Sequence, residues 1–563
     1  MTLQCPAAQA NNHVSLTHTE KRTLKMAFYR FLLTYCKWTL VFSVIIGLVS
    51  GFGLTGVMAV IHRVLNNSPE VYIGYLLAFS LLWLVYGSAC ILSEILLIHL
   101  SEKIAFRLKL ALTGQIFKKK IRDLEEIGEH RLFAVLVEDI WTITNLVGRL
   151  PNAFVNTATV LGCYGYMFWL SPALFLFNLS FLLTGIILYQ IPANIAKQYL
   201  ATAREASDEA VGQFRHLTQG IKELFIHFPK RQEFLDLHLN ASNRKLMEQN
   251  ISAKSIYAIS QRFGELLVLV NIGVLLFLVP RFYKVDAHLL TGFILASLFS
   301  LSPLTTLLSF IPEWIKAGVA LEKVQSYGFD LFDINPVEDA GPRPFKGPSV
   351  FPSLLTLQEI KFEYKDKLNG DRFIVGPVSF EMKSGEVTFL VGGNGTGKTT
   401  LAKIVCGLYR PLHGRILWND EPVDSLNRED FQQNFSVIFS DYFLFKHLIG
   451  IDPGQISAHA GHYLSSLQME KKVSIKNRAF STIALSNGQR KRLALLAASL
   501  EDRPVYIFDE WAAGQDPSFK KIFYEKILID LKKKNKMVLV ITHDDNYFQL
   551  ADQVIKLEDG KII

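Results

Sequence analysis

Long stretches without Asp, Glu, Lys or Arg occupy much of the first 312 residues and limit the fold more than any other feature. A helix needs about 20 apolar residues to cross a hydrocarbon core. Residues 151–196 are too long for one span, and Ser171-Pro172 offers a turn between two. Only 20% of the 563 residues are charged, against about 25% in soluble domains, so core helices of a soluble protein are the weaker interpretation. The pattern predicts six membrane spans, approximately at residues 30–62, 71–100, 151–170, 173–195, 256–280 and 287–312.

Lys and Arg are distributed unevenly over the segments between these spans. Residues 1–37, 101–150 and 197–262 contain 24 of them, whereas the opposite loops contain three. Because cytoplasmic segments of membrane proteins are enriched in Lys and Arg, we expect a multi-pass membrane protein with both termini in the cytoplasm. This asymmetry accounts for most of the net charge of +8, so no nucleic-acid partner is expected.

The two long inner segments, residues 101–150 and 197–255, keep helical periodicity without being apolar all round. They are predicted to extend the membrane helices into the cytoplasm, each turning through a short helix near residues 122–130 and 214–225. We expect these two turns to couple the membrane spans to the domain that follows.

The composition changes after Tyr327. Five prolines occur between residues 336 and 352, which indicates a linker. Beyond the linker, short β-rich runs alternate with helical ones, the pattern of an α/β domain. The predicted organisation is a membrane domain over residues 1–326, a linker over 327–352 and an α/β domain over 353–563.

A glycine-rich loop follows an apolar strand in this α/β domain. The strand Phe389-Leu390-Val391 leads into a G-x-x-x-x-G-K-T pattern and then into a helix, an arrangement in which backbone N–H groups surround a phosphate. Lys398 is predicted to reach the β- and γ-phosphates of ATP, and the Thr399 hydroxyl to bind Mg²⁺. The predicted nucleotide-binding residues of this loop are Gly392, Gly393, Asn394, Gly395, Thr396, Gly397, Lys398, Thr399 and Thr400.

Two later strands supply groups suited to phosphoryl transfer. The apolar run 505–508 ends in Asp509 and Glu510, which suits a carboxylate that binds Mg²⁺ beside a general base that polarises water. A buried strand with two exposed acids is the alternative, and the glycine-rich loop makes it much weaker. His543 follows the apolar run 538–541 and is predicted to contact the γ-phosphate.

The sequence Leu485-Ser486-Asn487-Gly488-Gln489 lies between the loop and the Asp-Glu strand. It resembles the signature of ATP-binding cassette (ABC) proteins, and the whole chain then resembles an ABC exporter half-transporter, with a six-helix, all-α transmembrane domain and an α/β P-loop nucleotide-binding domain. Residues 480–494 and 439–445 resemble, more narrowly, the exporters of cyclic peptides and siderophore precursors of the pyoverdine and syringomycin type.

The resemblance implies further residue roles. Tyr364 matches the aromatic side chain that stacks on adenine. The D-loop position is occupied by Ala513-Gly514-Gln515-Asp516, which departs from the residues usual there. Each ATP would lie between the glycine-rich loop of one chain and Ser486, Gly488 and Gln489 of a second, so a homodimer is expected. Ser440 stands where most of these proteins carry a Gln that contacts Mg²⁺ and water. It is counted among the predicted nucleotide-binding residues, with a hydroxyl of shorter reach than the Gln side chain.

Two acidic residues near the inner ends of predicted spans, Glu94 and Glu265, are candidates for substrate binding. Local pairing, such as that of Glu265 with Arg262, is the competing interpretation. The resemblance implies ATP-driven export of a peptide-like or siderophore-precursor substrate, with membrane lipid surrounding the protein. A siderophore importer and a lipid or drug exporter share this architecture and stay as alternatives, whereas a membrane-anchored ATPase without transport would not need six spans.

Overall fold

The computed structural model describes residues 18–66, 72–282, 285–330, 354–365 and 372–563. The chain divides into two compact units. The membrane unit comprises residues 1–116 and 129–337, and the nucleotide unit comprises residues 117–128 and 338–563. Residues 331–352, most of the predicted linker, lie outside the described residues.

Long helices form the membrane unit, because its apolar runs satisfy their backbone hydrogen bonds internally only as helices. Helical residues occupy the six ranges predicted as spans, and several of these helices continue well beyond them. That each of the six crosses the membrane stays a prediction. The helices of this unit are α1 (His18–Asn66), α2 (Tyr72–Lys118), α4 (Glu129–Ala134), α5 (Ile140–Leu170), α6 (Pro172–Gln219), α7 (Ile221–Ile226), α8 (Phe228–Glu233), α9 (Asn240–Gly273), α10 (Val279–Phe282) and α11 (Ala287–Ser326).

Within the described residues, four helical segments are long and apolar enough to cross a membrane: Val44–Asn66, Ile73–Lys118, Glu265–Phe282 and Ala287–Ser326. The α5 helix packs against α1 and α11, while α6 packs along α9. Pro172 begins α6 directly after the extended residue Ser171, which places the turn between the third and fourth long helices at the predicted Ser-Pro pair.

A short helix, α3 (Ile121–Ile127), belongs to the nucleotide unit although it lies between α2 and α4 in the chain. It falls at the first of the two predicted inner turns. The second predicted turn contains α7, in the membrane unit.

The rest of the nucleotide unit is an α/β fold. Its helices are α12 (Lys398–Val405), α13 (Arg428–Gln432), α14 (Pro453–Ser466), α15 (Asn487–Glu501), α16 (Pro517–Ile522) and α17 (Leu528–Lys533). Its strands are β1 (Leu354–Lys365), β2 (Arg372–Lys383), β3 (Val387–Val391), β4 (His413–Trp418), β5 (Glu421–Pro422), β6 (Phe435–Ile438), β7 (Ile475–Lys476), β8 (Ala479–Phe480), β9 (Val505–Asp509), β10 (Met537–Ile541), β11 (Gln553–Glu558) and β12 (Lys561–Ile562).

The central sheet has the strand order β12-β11-β3-β10-β9-β6 and is parallel except for the β11–β12 pair. Every residue of β3, β9 and β10 is buried, as expected for the near-continuous apolar runs of a parallel sheet covered on both faces. A second sheet, antiparallel with the order β2-β1-β4-β5, packs in the same core as α12. The carboxyl ends of β3, β9 and β10 are adjacent, so the residues that follow them meet at one edge, where α/β sheets bind ligands.

Candidate nucleotide-binding site

The glycine-rich loop joins β3 to α12 with a backbone that only glycine accepts at its two ends. Gly392 has a φ of +151° and Gly397 a φ of +99°. A Cβ atom at Gly392 would clash with the Leu557 carbonyl oxygen, and one at Gly397 would lie 2.7 Å from the Val375 side chain. The loop therefore turns tightly enough to aim its N–H groups at a phosphate.

Lys398, the first residue of α12, is 6% exposed. Its ammonium donates hydrogen bonds to the carbonyl oxygens of Gly392 (3.0 Å) and Gly393 (2.7 Å). Burial lowers the pKa of Lys398, and the carboxylates of Glu510 and Asp509 oppose that shift. The cation is thus held within the loop that the sequence predicts to bind the β- and γ-phosphates.

The two residues predicted to bind Mg²⁺ touch each other. The Thr399 hydroxyl donates to Oδ2 of Asp509 over 2.9 Å, whereas the buried Oδ1 of Asp509 accepts no hydrogen bond. A hydroxyl beside a buried carboxylate oxygen without a partner fits a magnesium ion, which prefers oxygen ligands. The pKa of Asp509 is raised chiefly by burial, and the Thr399 hydroxyl acts in the opposite direction.

Ser440 also lies beside this carboxylate. Its backbone N–H and its hydroxyl both lower the pKa of Asp509, and the hydroxyl has the smaller effect. Ser440 is exposed and lies two residues after the end of strand β6. The position that usually carries Gln therefore lies beside the predicted Mg²⁺ ligand.

The predicted general base and γ-phosphate sensor form a pair. Nε2 of His543 lies 3.2 Å from Oε1 of Glu510, and both side chains are partly exposed. Glu510 has a left-handed backbone with a φ of +49°, which is uncommon for a residue other than glycine and is often found at functional sites. Its N–H donates to the Ile541 carbonyl oxygen (3.1 Å), so β10 fixes the position of Glu510 as well as that of His543.

Lys491 is a residue that sequence reasoning missed. This buried ammonium donates to the carbonyl oxygens of Glu510 (2.9 Å) and Ala513 (2.8 Å). Burial lowers the pKa of Lys491, and the Trp511 indole N–H donates back to the Lys491 carbonyl oxygen (3.0 Å). The turn after β9 is thereby tied to α15. The sequence contains the lysine three residues after the signature glycine, but no spacing rule predicts its partners.

Ser486 and Gln489 of the signature form a capping box at the start of α15, in which each side chain accepts from the other residue's backbone N–H. Gly488 is contacted from the D-loop position, because the Gln515 side-chain amide donates to its carbonyl oxygen (3.0 Å). Arg492 pairs with Asp516 (2.6 Å). The signature and the D-loop position thus form one connected surface.

Tyr364, the predicted adenine-stacking residue, lies near the end of β1 opposite Phe373 of β2. The Phe373 ring lies beside the glycine-rich loop, 3.3 Å from the position of a Cβ at Gly397. The Tyr364 hydroxyl donates to the Tyr409 hydroxyl (2.7 Å), and the Tyr409 hydroxyl also bonds to the carboxylate of Glu125 in α3. The ammonium of Lys403, in α12, lies 2.7 Å from the same carboxylate.

The two acidic residues predicted to bind substrate lie in the membrane unit. Glu265 forms an ion pair with Arg262 of the same helix at 2.6 Å. This is the local pairing that competes with a role in substrate binding. Glu94 is exposed on α2. A substrate role for either residue stays a prediction.

The comparisons with known proteins agree with this geometry. The family model of the ABC transporter transmembrane region matches residues 28–300, and the ABC transporter model matches residues 375–513. The chain is 33% identical to the ATP-binding protein SyrD of Pseudomonas syringae pv. syringae, over 97% of this chain and 98% of that protein. The protein belongs to the ABC transporter family. It is an ATP-hydrolysing transporter of the half-transporter type, with one membrane domain and one ATP-binding domain.

More distant relatives include ATP-dependent lipid A-core flippases. That of Thiobacillus denitrificans is 22% identical over 86% of this chain and 84% of its own length. That of Bordetella pertussis is 24% identical over 80% of this chain and 73% of its own length.

Proposed function

We propose that the protein exports a peptide-like or siderophore-precursor molecule across the bacterial inner membrane by alternating access, with both termini in the cytoplasm. The observation that carries the substrate class is the run 480–494, which resembles the peptide and siderophore-precursor exporters. The similarity to SyrD over nearly the whole chain supports it.

The working unit of the proposal is a homodimer. The chain has one glycine-rich loop and one signature, and the resemblance to the family implies that each ATP would lie between the loop of one chain and the signature of the other. The exposed Ser486 and the partly exposed Gly488 are available to a second copy. ATP binding then bridges two nucleotide units, and hydrolysis releases them.

In this proposal each residue of the site has a separate task. Lys398 neutralises charge on the β- and γ-phosphates, and Tyr364 stacks on adenine. Thr399 and Asp509 hold Mg²⁺, which supplies further charge neutralisation when bound. Glu510 accepts a proton from the attacking water, and His543, 3.2 Å away, orients both this carboxylate and the γ-phosphate.

The helix α3 is proposed to carry the closure of the nucleotide units toward the spans. Ile121 packs against the core of the nucleotide unit, and the Arg122 guanidinium lies 5.4 Å from the centroid of the Phe362 ring. Glu125 links α3 to both Lys403 of α12 and Tyr409. Because α12 begins at the glycine-rich loop, a shift of α12 on nucleotide binding would move Lys403 and with it Glu125 of α3.

A lipid is the second candidate substrate, because relatives named as lipid A-core flippases match most of the chain. Transport assays in two vesicle orientations separate the candidates. We expect a fluorescent cyclic peptide to accumulate in inside-out vesicles with ATP, and not with the Glu510→Gln variant. Accumulation only in right-side-out vesicles would show import, and movement of a fluorescent lipid without the peptide would show a flippase.

A further inference from the structure

His543 lies in a short turn after β10, and the residues on either side of it are bonded to each other. The side chain of His543 is 45% exposed and lies 3.2 Å from Oε1 of Glu510. Thr542, which precedes it, is 4% exposed. Asp544, which follows it, donates from its backbone N–H to the Thr542 hydroxyl oxygen (3.0 Å). The turn that carries His543 is therefore closed by a hydrogen bond between the two residues that flank it.

The hydroxyl of Tyr524 contacts both flanking residues. Tyr524 is fully buried and lies in a π-helical segment, Phe523–Ile527, that continues α16. Its hydroxyl oxygen lies 2.7 Å from Oγ1 of Thr542 and donates to Oδ2 of Asp544 over 3.1 Å. Burial, and after it the Asp544 carboxylate, raises the pKa of Tyr524, so the hydroxyl keeps the proton that it donates at neutral pH.

Lys520 supplies a positive charge to the same carboxylate. Its ammonium lies 2.9 Å from Oδ1 and 3.2 Å from Oδ2 of Asp544, and both side chains are partly exposed. Lys520 lies in α16 one turn before Tyr524, so the two groups project from one side of the helix. The start of α16 is fixed in turn, because the Asp516 side chain accepts from the Phe519 N–H (2.9 Å). The turn at His543 thus rests on a helix with a defined position.

We propose that Lys520, Tyr524 and Asp544 are positioning residues for His543, which hold its turn so that the imidazole faces Glu510 and the γ-phosphate. In this proposal they act through His543 and make no contact with the nucleotide. A displacement of about 1 Å at a reacting group is enough to slow a reaction strongly. The network therefore controls ATP turnover and has little effect on ATP binding. The proposal rests on the γ-phosphate task proposed above for His543.

ATPase kinetics of the full chain in lipid nanodiscs, measured without an export substrate, test the proposal. Lys520→Met keeps most of the aliphatic side chain and removes the charge. We expect kcat to fall about five- to tenfold, with less than about a twofold change in the KM for ATP. Tyr524→Phe, which keeps the buried ring, should have the same kind of effect, and Lys520→Arg should restore most of the turnover. Lys521→Met is the matched control, because this exposed lysine of the same helix lies 3.9 Å from Glu525, and it should keep full turnover.

The same substitution in a His543→Ala background separates positioning from folding. A residue that acts through His543 has little further effect once the imidazole is removed, so Lys520→Met should lower single-turnover hydrolysis by less than about twofold there. A loss as large as in the unaltered chain would overturn the proposal, and so would a KM that rises as much as kcat falls, together with a lowered Tm.

Two further outcomes distinguish this proposal from the one on which it rests. Full turnover of Lys520→Met and Tyr524→Phe beside a slow His543→Ala would overturn the positioning role alone. Full turnover of His543→Ala would overturn the task proposed for His543, and the positioning role with it. Because no export substrate is used, neither outcome changes the vesicle transport result.

Discussion

The nucleotide site and the helices of the membrane unit differ in how many of their buried polar side-chain atoms have hydrogen-bond partners. Around the loop, Lys398, Thr399 and Lys491 all have hydrogen-bond partners within the protein, and Oδ1 of Asp509 lacks one where a cation is expected. In the membrane unit, Oδ1 of Asn271 and Oγ of Ser297 are buried without a hydrogen-bond partner. The loop can therefore be preorganised for a charged ligand, whereas the membrane unit keeps two buried oxygen atoms without donors or acceptors from the described residues.

The largest effect on nucleotide binding is expected from Lys398→Ala. The substitution removes the cation predicted to contact the β- and γ-phosphates, so ATP affinity should fall by roughly 100-fold, as expected for loss of hydrogen bonds to a charged group. Binding of a fluorescent ATP analogue measures this. Lys446→Ala changes an exposed lysine of the same unit and should leave affinity unchanged. Equal affinities for both variants would contradict the role of Lys398.

Lys491→Met tests whether the network behind the catalytic turn is needed. The variant keeps the aliphatic length but leaves the carbonyl oxygens of Glu510 and Ala513 without their donor. ATP turnover should fall about tenfold, with little change in KM, because a misplaced Glu510 affects chemistry more than binding.

The neighbouring exposed Arg490 provides the control for Lys491, and Arg490→Met should retain turnover. A Lys491→Met protein that loses ATP affinity and turnover equally, with a lowered Tm, would show that the lysine only stabilises the fold.

Glu125→Gln addresses the contacts of α3. The substitution weakens the links to Lys403 and Tyr409, and through Tyr409 to Tyr364. We expect the KM for ATP to rise roughly fivefold, since these partly exposed contacts are weaker than buried ones, and ATP-driven transport to fall more than ATP turnover. Tyr409→Phe should reproduce the KM change, and Asp123→Asn, on the same helix, should have no effect. Unchanged coupling in both Glu125→Gln and Tyr409→Phe would remove α3 from the proposed coupling.

The smallest effect is expected from Ser440→Ala. The backbone N–H of Ser440 lowers the pKa of Asp509 more than the Ser440 hydroxyl does, and this N–H remains in the variant. Turnover should fall by less than about tenfold, and a steady-state ATPase assay is sufficient to measure it. A larger loss would mean that the hydroxyl performs the task of the usual Gln.

The sequence predicted the candidate site residues at the carboxyl ends of β3, β9 and β10. Parallel strands bring these ends together, and each sequence motif lies at the end of one of the three strands. Its uncharged runs also fall on helices of the structure, although only four helical segments within the described residues are long and apolar enough to cross a membrane. It could not predict Lys491, Glu125 or Tyr409, whose partners are distant in the chain and follow no local pattern. The sequence also did not predict that Oδ1 of Asn271 is buried without a hydrogen-bond partner. A single Asn in an apolar helix does not show whether a neighbouring helix supplies a donor.

The central claim is that two copies of the chain share each ATP, and crosslinking in the Glu510→Gln variant tests it most directly. This variant should bind ATP normally, but its ATP turnover should fall by roughly 100-fold or more, so that the closed dimer accumulates. The variant carries one added cysteine, at Thr396 in one preparation and at Ser486 in a second, and the two are mixed in equal amounts.

The native thiol in the nucleotide unit should not interfere, because burial raises the pKa of Cys406 to about 11 and leaves it unreactive. We predict a crosslinked product of twice the chain mass that forms with ATP and Mg²⁺, is absent without nucleotide, and is absent when either added cysteine is omitted. Full ATP occupancy of the mixture without any such product would contradict the shared site.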